Sequence, residues 1–465
     1  MKQIDFSKII TPQEVYKAAR ETKFVQRAGG KIDPFDFLMT MVFRLATSTA
    51  PGLGLITSLL NKRVSRAGVN QKFTEQGCVF FRRCLQIIMM KRILGVQPIK
   101  VKLLQPFNRV LIYDSCRWDI ASGLKDIFPG SGGCASEANC KLQVGYDFKS
   151  GSVLLAEDVK GALPDQGYSK NIALFTQKDD LTITDLGYWA FDTFYQIDSK
   201  GGFFLSRFSA QVNVWKSIDG ENKELDLAKT LNEQTSDSVE IDCLIREKDN
   251  KDRWLNLRLI AFRAPEEVAN MRRKKLKDQA KKKRRTPNQR CLDLCAWSIF
   301  VTNACAQLLP GEMVRSLYRV RWCIELIFKS WQSILRMHLS NVRKNHYRFK
   351  CELYAKLILA SIVHTTHHHL QSYLWHKEKR EISFYKLWSF ITSHAESLHN
   401  AIRKSIRCFS NIMNSLFNLL IKNCEKYHQP SRKTMLQKID ELHGDSIPIK
   451  LTRSYTLATR ISHMC

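Results

Sequence analysis

The spacing of hydrophobic positions changes from a helical period to strand-like runs near residue 105, and back to a helical period near residue 338. In the first hundred residues and in the last part, apolar residues recur every three or four positions, as on one face of a helix. Thr11-Pro12-Gln13-Glu14 is typical of a helix start, with a capping residue, proline at the first position and an acid in the first turn. Short apolar or alternating runs in between predict strands. The pattern therefore predicts an α/β protein with helical regions at both ends.

The central region begins with a short apolar strand that ends on Asp114. A later predicted strand likewise ends on an acid, Asp185. The predicted order is a meander of three strands (109–113, 142–147 and 152–156), a helix (166–177), a strand (181–184), a helix (187–197) and a strand (202–207). If the fourth strand lies beside the first in a mixed sheet, the two aspartates become neighbours.

Residues 208–310 interrupt this order. Two alternating runs, 239–246 and 254–263, predict a half-exposed antiparallel sheet. They are followed by ten basic residues within the fourteen positions 272–285. Such a run repels itself unless it meets phosphate, so we expect a phosphate-binding loop, with a flexible solvated loop as the alternative.

A helix is predicted around 317–331, and its two faces differ. One face is apolar. The neighbouring stripe carries Tyr318, Arg321, Glu325, Lys329 and Gln332 at three- and four-residue steps. Taken alone, this stripe favours a row of solvated ion pairs on an amphipathic helix, and other residues have to decide.

The charge of the chain indicates its partner. Its 465 residues include 73 Lys and Arg against 44 Asp and Glu, a formal net charge of +29, which favours nucleic acid over a membrane surface. This length predicts two to four domains. No apolar run is long enough to span a bilayer and the N-terminus lacks a signal-peptide core, so we expect a cytoplasmic protein with reduced cysteines.

Asp114, Asp185 and Glu325 are the candidates for one catalytic and metal site. Carboxylate oxygens suit Mg²⁺, which takes one or two of them per ion together with substrate phosphate. Two such ions about 3.5–4 Å apart activate the attacking oxygen and stabilise the leaving oxygen in phosphodiester cleavage. Three acids in this order, in a strongly basic chain, therefore predict metal-dependent chemistry on nucleic acid.

The sequence resembles the DDE transposases of bacterial insertion sequences, in the IS-four group. Leu111-Ile112-Tyr113-Asp114 is similar to the strand of the first aspartate, and Thr184-Asp185-Leu186-Gly187-Tyr188-Trp189 to the motif of the second. The stripe residues Tyr318, Arg321 and Glu325 match a Y-x2-R-x3-E-x6-K signature, but Gln332 stands where the signature has lysine. The resemblance covers about residues 105–340.

The resemblance implies a ribonuclease H-like mixed-sheet core with a β-strand insertion before the glutamate. It also implies two Mg²⁺ ions, with Mn²⁺ as a substitute, held by the three acids. DNA-binding roles are implied for Tyr318 and Arg321 at the phosphates of the element end, for Trp297 stacking on a flipped base, and for Arg207. Lys329 would compensate in part for the charge that Gln332 lacks.

The implied reaction is cut-and-paste movement of an insertion sequence. Water cleaves double-stranded DNA at the terminal inverted repeats, and the freed 3′-OH attacks target DNA. Pairing of two ends implies a homodimer in the synaptic complex, acting at the bacterial nucleoid. The predicted domains begin with a helical region (1–100), which is either a DNA-binding domain with a helix-turn-helix-like element or a helical bundle with basic faces. They continue with the first part of the core (105–207), the insertion with its basic loop (208–310), the glutamate helix (311–340) and a helical C-terminal region (341–465) that could serve dimerisation.

Two other functions stay open on the sequence. A metal-dependent nuclease of the same fold would use the same acids without joining DNA ends. A DNA-binding protein of the same fold that has lost catalysis is the other, and Gln332 is its only hint.

Overall fold

The computed structural model describes residues 9–27, 29–45, 52–95, 101–132 and 136–427, and the single positions 434, 436, 437 and 440. The chain divides into two compact units that interleave along the sequence. The first lies within Met1–Ile99, Leu111–Tyr168 and Arg321–Gln429, and the second within Lys100–Val110, Ser169–Val320 and Pro430–Cys465. The predicted core segment 105–207 thus contributes to both units, and the predicted domain boundaries stay a prediction.

Among the described residues, five α-helices lie in the N-terminal part of the first unit: α1 (Pro12–Glu21), α2 (Pro34–Thr40), α3 (Leu53–Leu59), α4 (Arg66–Asn70) and α5 (Glu75–Gly95). The predicted helix start is confirmed by a capping box. Glu14 N donates to Thr11 Oγ1 over 3.3 Å, and Thr11 N donates to Glu14 Oε2 over 2.8 Å. The helix-turn-helix-like role of this region stays a prediction.

Three antiparallel strands form the meander of the first unit: β1 (Val110–Asp119), β2 (Asn139–Asp147) and β3 (Ser152–Lys160). The prediction that the first strand ends at Asp114 was wrong, because β1 continues to Asp119 and Asp114 pairs with Val144. Cys116 and Trp118 beyond it are buried. Their alternation with exposed polar residues is the pattern of a half-exposed strand, which keeps the chain extended.

The second unit contains a seven-stranded mixed sheet. Its helices and strands, in chain order after α6 (Asp165–Phe175), are β4 (Leu181–Thr184), α7 (Phe191–Ser199), β5 (Phe203–Arg207), β6 (Val214–Ile218), β7 (Glu221–Leu225), α8 (Leu227–Asn232), β8 (Ser238–Arg246), β9 (Trp254–Arg263), α9 (Glu266–Lys282), α10 (Gln289–Asp293), β10 (Trp297–Thr302) and α11 (Gly311–Tyr318). The strand order in this unit is β4-β5-β10-β9-β8-β6-β7. Only β4 and β5 are parallel; the other neighbours are antiparallel.

The predicted insertion sheet is present, but the predicted basic loop was wrong, because residues 266–282 form α9. Glu266 and Glu267 lie in its first turn, and Lys281 and Lys282 in its last. These charges oppose the partial charges at the two helix ends, and most residues between them have high helix propensity. A row of like charges is therefore accommodated in a helix.

In the described part of its C-terminal segment, the first unit has the helices α12 (Trp322–Ser333), α13 (His346–Glu378), α14 (Phe384–Ser393), α15 (Ala395–Lys404) and α16 (Ile406–Cys424). The prediction of one continuous helix over 317–331 was wrong, because a 3₁₀ turn at Arg319–Arg321 separates α11 from α12. The helical C-terminal region is confirmed as far as residue 427. Among the described residues, no helix has the length and apolar character needed to cross a bilayer.

Candidate active site

Asp114 lies in the middle of β1 on a tightly packed strand pair. The ring of the preceding Tyr113 is buried and packs over Gly145 on β2. A Cβ at position 145 would lie 2.7 Å from Tyr113 Cε1, so only glycine leaves room for this ring. Because successive side chains of a strand point to opposite faces, a fixed Tyr113 also fixes the direction of Asp114.

Glu325 lies in the first turn of α12, where the partial positive charge of the helix N-terminus favours an acid. The opposite face of α12 is buried through Ile324, Ile327, Phe328 and Trp331. This burial confirms the predicted apolar face and sets the rotation of the helix. The Glu325 side chain is 43% exposed and lies on the open side.

Arg321 joins the two acids. Its Nη1 donates to Asp114 Oδ2 over 2.9 Å, and its Nη2 donates to Glu325 Oε1 over 2.7 Å. Only 13% of the Arg321 side chain is exposed. Two carboxylates far apart in the sequence therefore meet at one guanidinium, and the predicted row of ion pairs on one helix is in fact a bridge to β1.

Besides burial, the charge of Asp114 contributes to a raised pKa of the nearby Cys116 thiol. Burial, and then the charge of Asp114, raise the pKa of the Cys116 thiol well above its ordinary value. This environment therefore favours the neutral thiol at Cys116. Asp114 itself also accepts a hydrogen bond at Oδ1 from the backbone N of Ser115, at 2.8 Å.

A polar network next to Asp114 was missed by the sequence reasoning. Asp165 accepts hydrogen bonds from Ser115 Oγ and from Gln143 Nε2, each at 2.9 Å, and pairs with Lys141 Nζ at 3.3 Å. Lys141 and Gln143 are buried although polar. Their alternation along β2 is visible in the sequence, but only the strand pairing shows that they share Asp165 with Ser115.

Asp185 belongs to the second unit and directly follows β4, as predicted. It caps a 3₁₀ turn, with Oδ1 accepting a hydrogen bond from Gly187 N at 2.8 Å. A Cβ at position 187 would lie 3.0 Å from the same oxygen. The glycine that follows the aspartate in this motif therefore lets its backbone approach the carboxylate.

The remaining predicted DNA-binding residues of the second unit differ in exposure. Arg207 is exposed at the end of β5. Tyr318 is buried, with its ring centroid 5.0 Å from that of Phe300. Trp297 is only 3% exposed, and the guanidinium of Arg263 lies 4.5 Å from its ring centroid. A base could reach the Trp297 ring only if Arg263 moved.

Several arginines surround Trp297. Arg272 on α9 donates to the carbonyl oxygen of Trp297 over 3.0 Å and to Ser298 Oγ over 2.9 Å. Burial lowers the pKa of Arg272, and the charge of Arg207 lowers it further. The second unit therefore concentrates positive charge around β10.

Lys329 and Gln332 follow Glu325 along α12. Lys329 is exposed, one turn beyond the glutamate, and Gln332 is half-buried in the last turn of the helix. Glu325, Lys329 and Gln332 therefore lie along one side of α12, as their spacing predicted. The predicted stripe holds only within α12, which begins at Trp322.

The oxygen donors of the first unit fit a divalent cation. Asp114 Oδ2 and Glu325 Oε1 converge on one cationic group, and carboxylate oxygens are the preferred ligands of hard cations. In the described part of the chain, no group of three or more His, Cys, Asp or Glu side chains forms a ready-made metal cluster. Two of the three predicted ligands are thus brought together through Arg321, and the third lies in the other unit.

Comparison with known proteins identifies the family. Residues 105–362, more than half of the chain, match the family model described as "Transposase DDE domain". The chain belongs to the DDE transposase family. The predicted enzyme class, cleavage and transfer of DNA strands with a divalent metal, is confirmed at this level. The predicted α/β fold with a mixed sheet is confirmed by the strand pairing, and its ribonuclease H-like character stays a prediction.

Curated relatives match almost the full length of this transposase. The chain is 28% identical over 446 residues to the transposase for insertion sequence element IS231E of Bacillus thuringiensis subsp. finitimus, covering 92% of each protein. It is also 28% identical over 440 residues to the transposase for insertion sequence element IS1151 of Clostridium perfringens, covering 90% of this chain and 91% of that protein. These relatives are consistent with the IS-four group.

One solved structure aligns with most of the chain. It is the cryo-EM structure of a piggyBac transposase synaptic complex with hairpin DNA. The alignment covers 97% of this chain and 91% of that one, with a TM-score of 0.43 and 10% sequence identity.

Proposed function

We propose that this chain moves an insertion sequence by cutting double-stranded DNA at the element's terminal inverted repeats and joining the freed ends to target DNA. One observation carries the proposal: Asp114 on β1 and Glu325 on α12 converge on the same guanidinium. Each belongs to a motif of the family, and the family match spans both. Their meeting in the folded unit supports a shared catalytic role.

Asp114, Asp185 and Glu325 would hold two Mg²⁺ ions, with Mn²⁺ as a substitute. When bound, such ions supply positive charge that activates a water molecule and stabilises the leaving oxygen of the phosphodiester. The contribution of the chain is to fix the ligands. The Tyr113 ring over Gly145 orients Asp114, and the buried face of α12 orients Glu325.

The same helix would hold the DNA backbone. Arg321 and Lys329 carry the charge, and Gln332 can donate a hydrogen bond to a phosphate without adding charge. In the second unit, Arg207 is exposed and Tyr318 can serve through its hydroxyl. Trp297 would take a flipped base only after Arg263 withdraws from its face, since the two are in contact in the fold.

The partners follow from the reaction. Two element ends must be held together for a cut-and-paste movement, so we propose a homodimer in the synaptic complex, active at the bacterial nucleoid. The net charge of +29 supports the binding of two duplexes by one assembly.

The test compares four purified variants on a labelled duplex that carries the inverted repeat flanking this gene. Asp114→Asn, Asp185→Asn and Glu325→Gln are expected to lose Mg²⁺-dependent cleavage and keep DNA binding in a gel-shift assay. Asp237→Asn, which changes a 97% exposed acid of the insertion, should cleave like the wild type.

Two outcomes would replace the proposal. Cleavage by the wild type without joining to a target plasmid would identify a nuclease. Binding of the repeat with no cleavage in Mg²⁺ or Mn²⁺ would identify a DNA-binding protein that has lost catalysis.

A further inference from the structure

Arg321 holds the two carboxylates that a cation would need. Its two terminal nitrogens are each committed to one acid, Nη1 to Asp114 at 2.9 Å and Nη2 to Glu325 at 2.7 Å. Hydrogen bonds between ionised groups are about twice as strong as neutral ones, and low exposure protects them from screening by water. The bridge is therefore a competitor for any cation that binds the same oxygens.

We infer that Arg321 is a gate that makes cation binding by Asp114 and Glu325 depend on bound DNA. This inference rests on the proposed function and extends it from the ligands to the order of assembly. A divalent cation and a guanidinium at the same two oxygens repel each other, so the cation binds well only when the guanidinium has turned away. Until then the acids are neutralised by the chain's own arginine.

A DNA phosphate is a suitable alternative partner for this arginine. The planar guanidinium fork binds phosphate oxygens with the same two-point geometry as carboxylates. Lys329, exposed one turn beyond Glu325, adds a second positive charge that draws a phosphate to this helix. A phosphate that takes over Arg321 releases Asp114 and Glu325 together.

The local backbone is consistent with a residue that exchanges partners. Arg321 ends the 3₁₀ turn that separates α11 from α12. Hydrogen-bond geometry in such turns is poorer than in an α-helix, and 3₁₀ segments within helices often mark hinges. The backbone of the 3₁₀ turn that carries the Arg321 side chain can therefore adjust without unfolding α12.

The gate has a thermodynamic consequence. If DNA and cation each favour the state with the guanidinium turned away, each must raise the affinity for the other by the same factor. Cation loading, and with it strand cutting, would be confined to protein that already holds DNA.

The experiment measures Mn²⁺ binding to the full-length protein by electron paramagnetic resonance, without DNA and with a random-sequence duplex at low salt. Arg321→Gln is expected to bind Mn²⁺ about tenfold more tightly than the wild type without DNA, the change that one lost charge-assisted hydrogen bond typically produces. Arg321→Lys, whose ammonium cannot fork to both acids, should lie between the two. The duplex should raise the Mn²⁺ affinity of the wild type but leave that of Arg321→Gln almost unchanged.

Arg380→Gln is the matched control, because Arg380 also bridges two acids of the first unit, Glu378 and Glu425, but is half exposed. The inference is overturned if Arg321→Gln and Arg380→Gln gain Mn²⁺ affinity equally. It is also overturned if neither Arg321→Gln nor Arg321→Lys gains Mn²⁺ affinity. The proposed function fails separately: if Asp114→Asn and Glu325→Gln leave Mn²⁺ binding unchanged in the Arg321→Gln background, these acids are not the cation ligands.

Discussion

Gln332 is the single residue at which this chain departs from the signature of its group. It is half-buried in the last turn of α12, one turn beyond the exposed Lys329. A glutamine there can reach a phosphate as a hydrogen-bond donor but contributes nothing to the release of counterions. We therefore propose that residue 332 sets the strength of DNA binding and leaves the proposed metal chemistry at Asp114 and Glu325 unchanged.

Gln332→Lys is expected to bind duplex DNA about fivefold more tightly, because a charge-assisted hydrogen bond would replace a neutral one. The slope of log affinity against log salt should steepen by about 0.9. Fluorescence anisotropy over a salt series measures both quantities.

Ser333→Lys is the control for position 332, since it adds the same charge to the next, exposed residue of the helix. If the two lysine variants gain DNA affinity equally, the gain comes from the added charge and not from a specific contact of residue 332 with DNA. If Gln332→Lys gains nothing, the helix does not contact DNA at this turn.

At this scale the sequence predicts the acids and their chemistry but not their contacts. The four-residue spacing of Arg321 and Glu325 is enough to predict an ion pair on a helix. The second bond of Arg321, to Asp114, joins residues 207 positions apart and follows only from packing α12 against β1. For the same reason Asp165 was missed, because its partners Ser115 and Gln143 come together through strand pairing.

Helix α9 is the element whose structure differs most from its prediction. Of the ten basic residues in 272–285, Arg272 is bonded to β10, and Arg273 to Glu266 and Asn270. The other eight have no ion pair among the residues the structure describes. Lys274, Lys277 and Lys281 are exposed and share one face of the helix at steps of three and four. The helix is thus anchored on one side and presents positive charge on the other.

Replacing Lys274, Lys277 and Lys281 together by alanine is expected to weaken binding to duplex DNA of any sequence. If each contacts a phosphate, the salt slope should fall by about 2.7, or 0.9 per contact. Filter-binding over a salt series measures this slope.

Lys216, Lys248 and Lys251, three exposed lysines of the same insertion, form a matched triple variant with the same change in charge. An equal fall in the salt slope of both triple variants would mean that only net charge matters and that α9 does not contact DNA specifically.

Element types were predictable where the hydrophobic period was strong, and boundaries were less so. β4 falls at its predicted position because a compact apolar run defines it. The part of β1 beyond Asp114 was not predicted because it is polar on one face. A strand of this kind contains no continuous apolar run. The 3₁₀ turn at 319–321 has no proline or glycine to signal it.

Across the whole molecule, the first unit joins segments that are far apart in the sequence. His399 on α15 is completely buried, with Nε2 3.4 Å from Thr40 Oγ1 on α2. Burial and then the charges of Arg403 and Arg44 together lower the pKa of His399 to about 4, while Glu396 opposes them. The native unit therefore holds a neutral imidazole between its N-terminal and C-terminal helices.

Acid is expected to loosen this contact. Below pH 6.5 the unfolded chain protonates residue 399, whereas the native chain resists protonation until about pH 4, so stability present above pH 6.5 is lost as pH falls toward 4. Through this residue the wild type should lose about 3 kcal/mol of unfolding free energy over that range. Urea unfolding at pH 7 and pH 4.5 measures the loss.

His399→Gln is expected to be less stable than the wild type at pH 7 and to close the gap at pH 4.5, because glutamine cannot take up a proton. A constant difference between the two proteins at both pH values would contradict the assignment. Long-range contacts of this kind cannot be read from local periodicity.

The interleaving of the first unit also constrains when the enzyme can become active during its synthesis. A ribosome makes roughly 5–20 residues per second, and Asp114 emerges long before Glu325 and the helices up to Cys424 that complete the same unit. A nascent chain, or one truncated before residue 321, carries the first aspartate without its partner acid. Only a nearly finished polypeptide can assemble the proposed site, so premature termination anywhere in the first two thirds of the message is expected to yield protein that does not cut DNA.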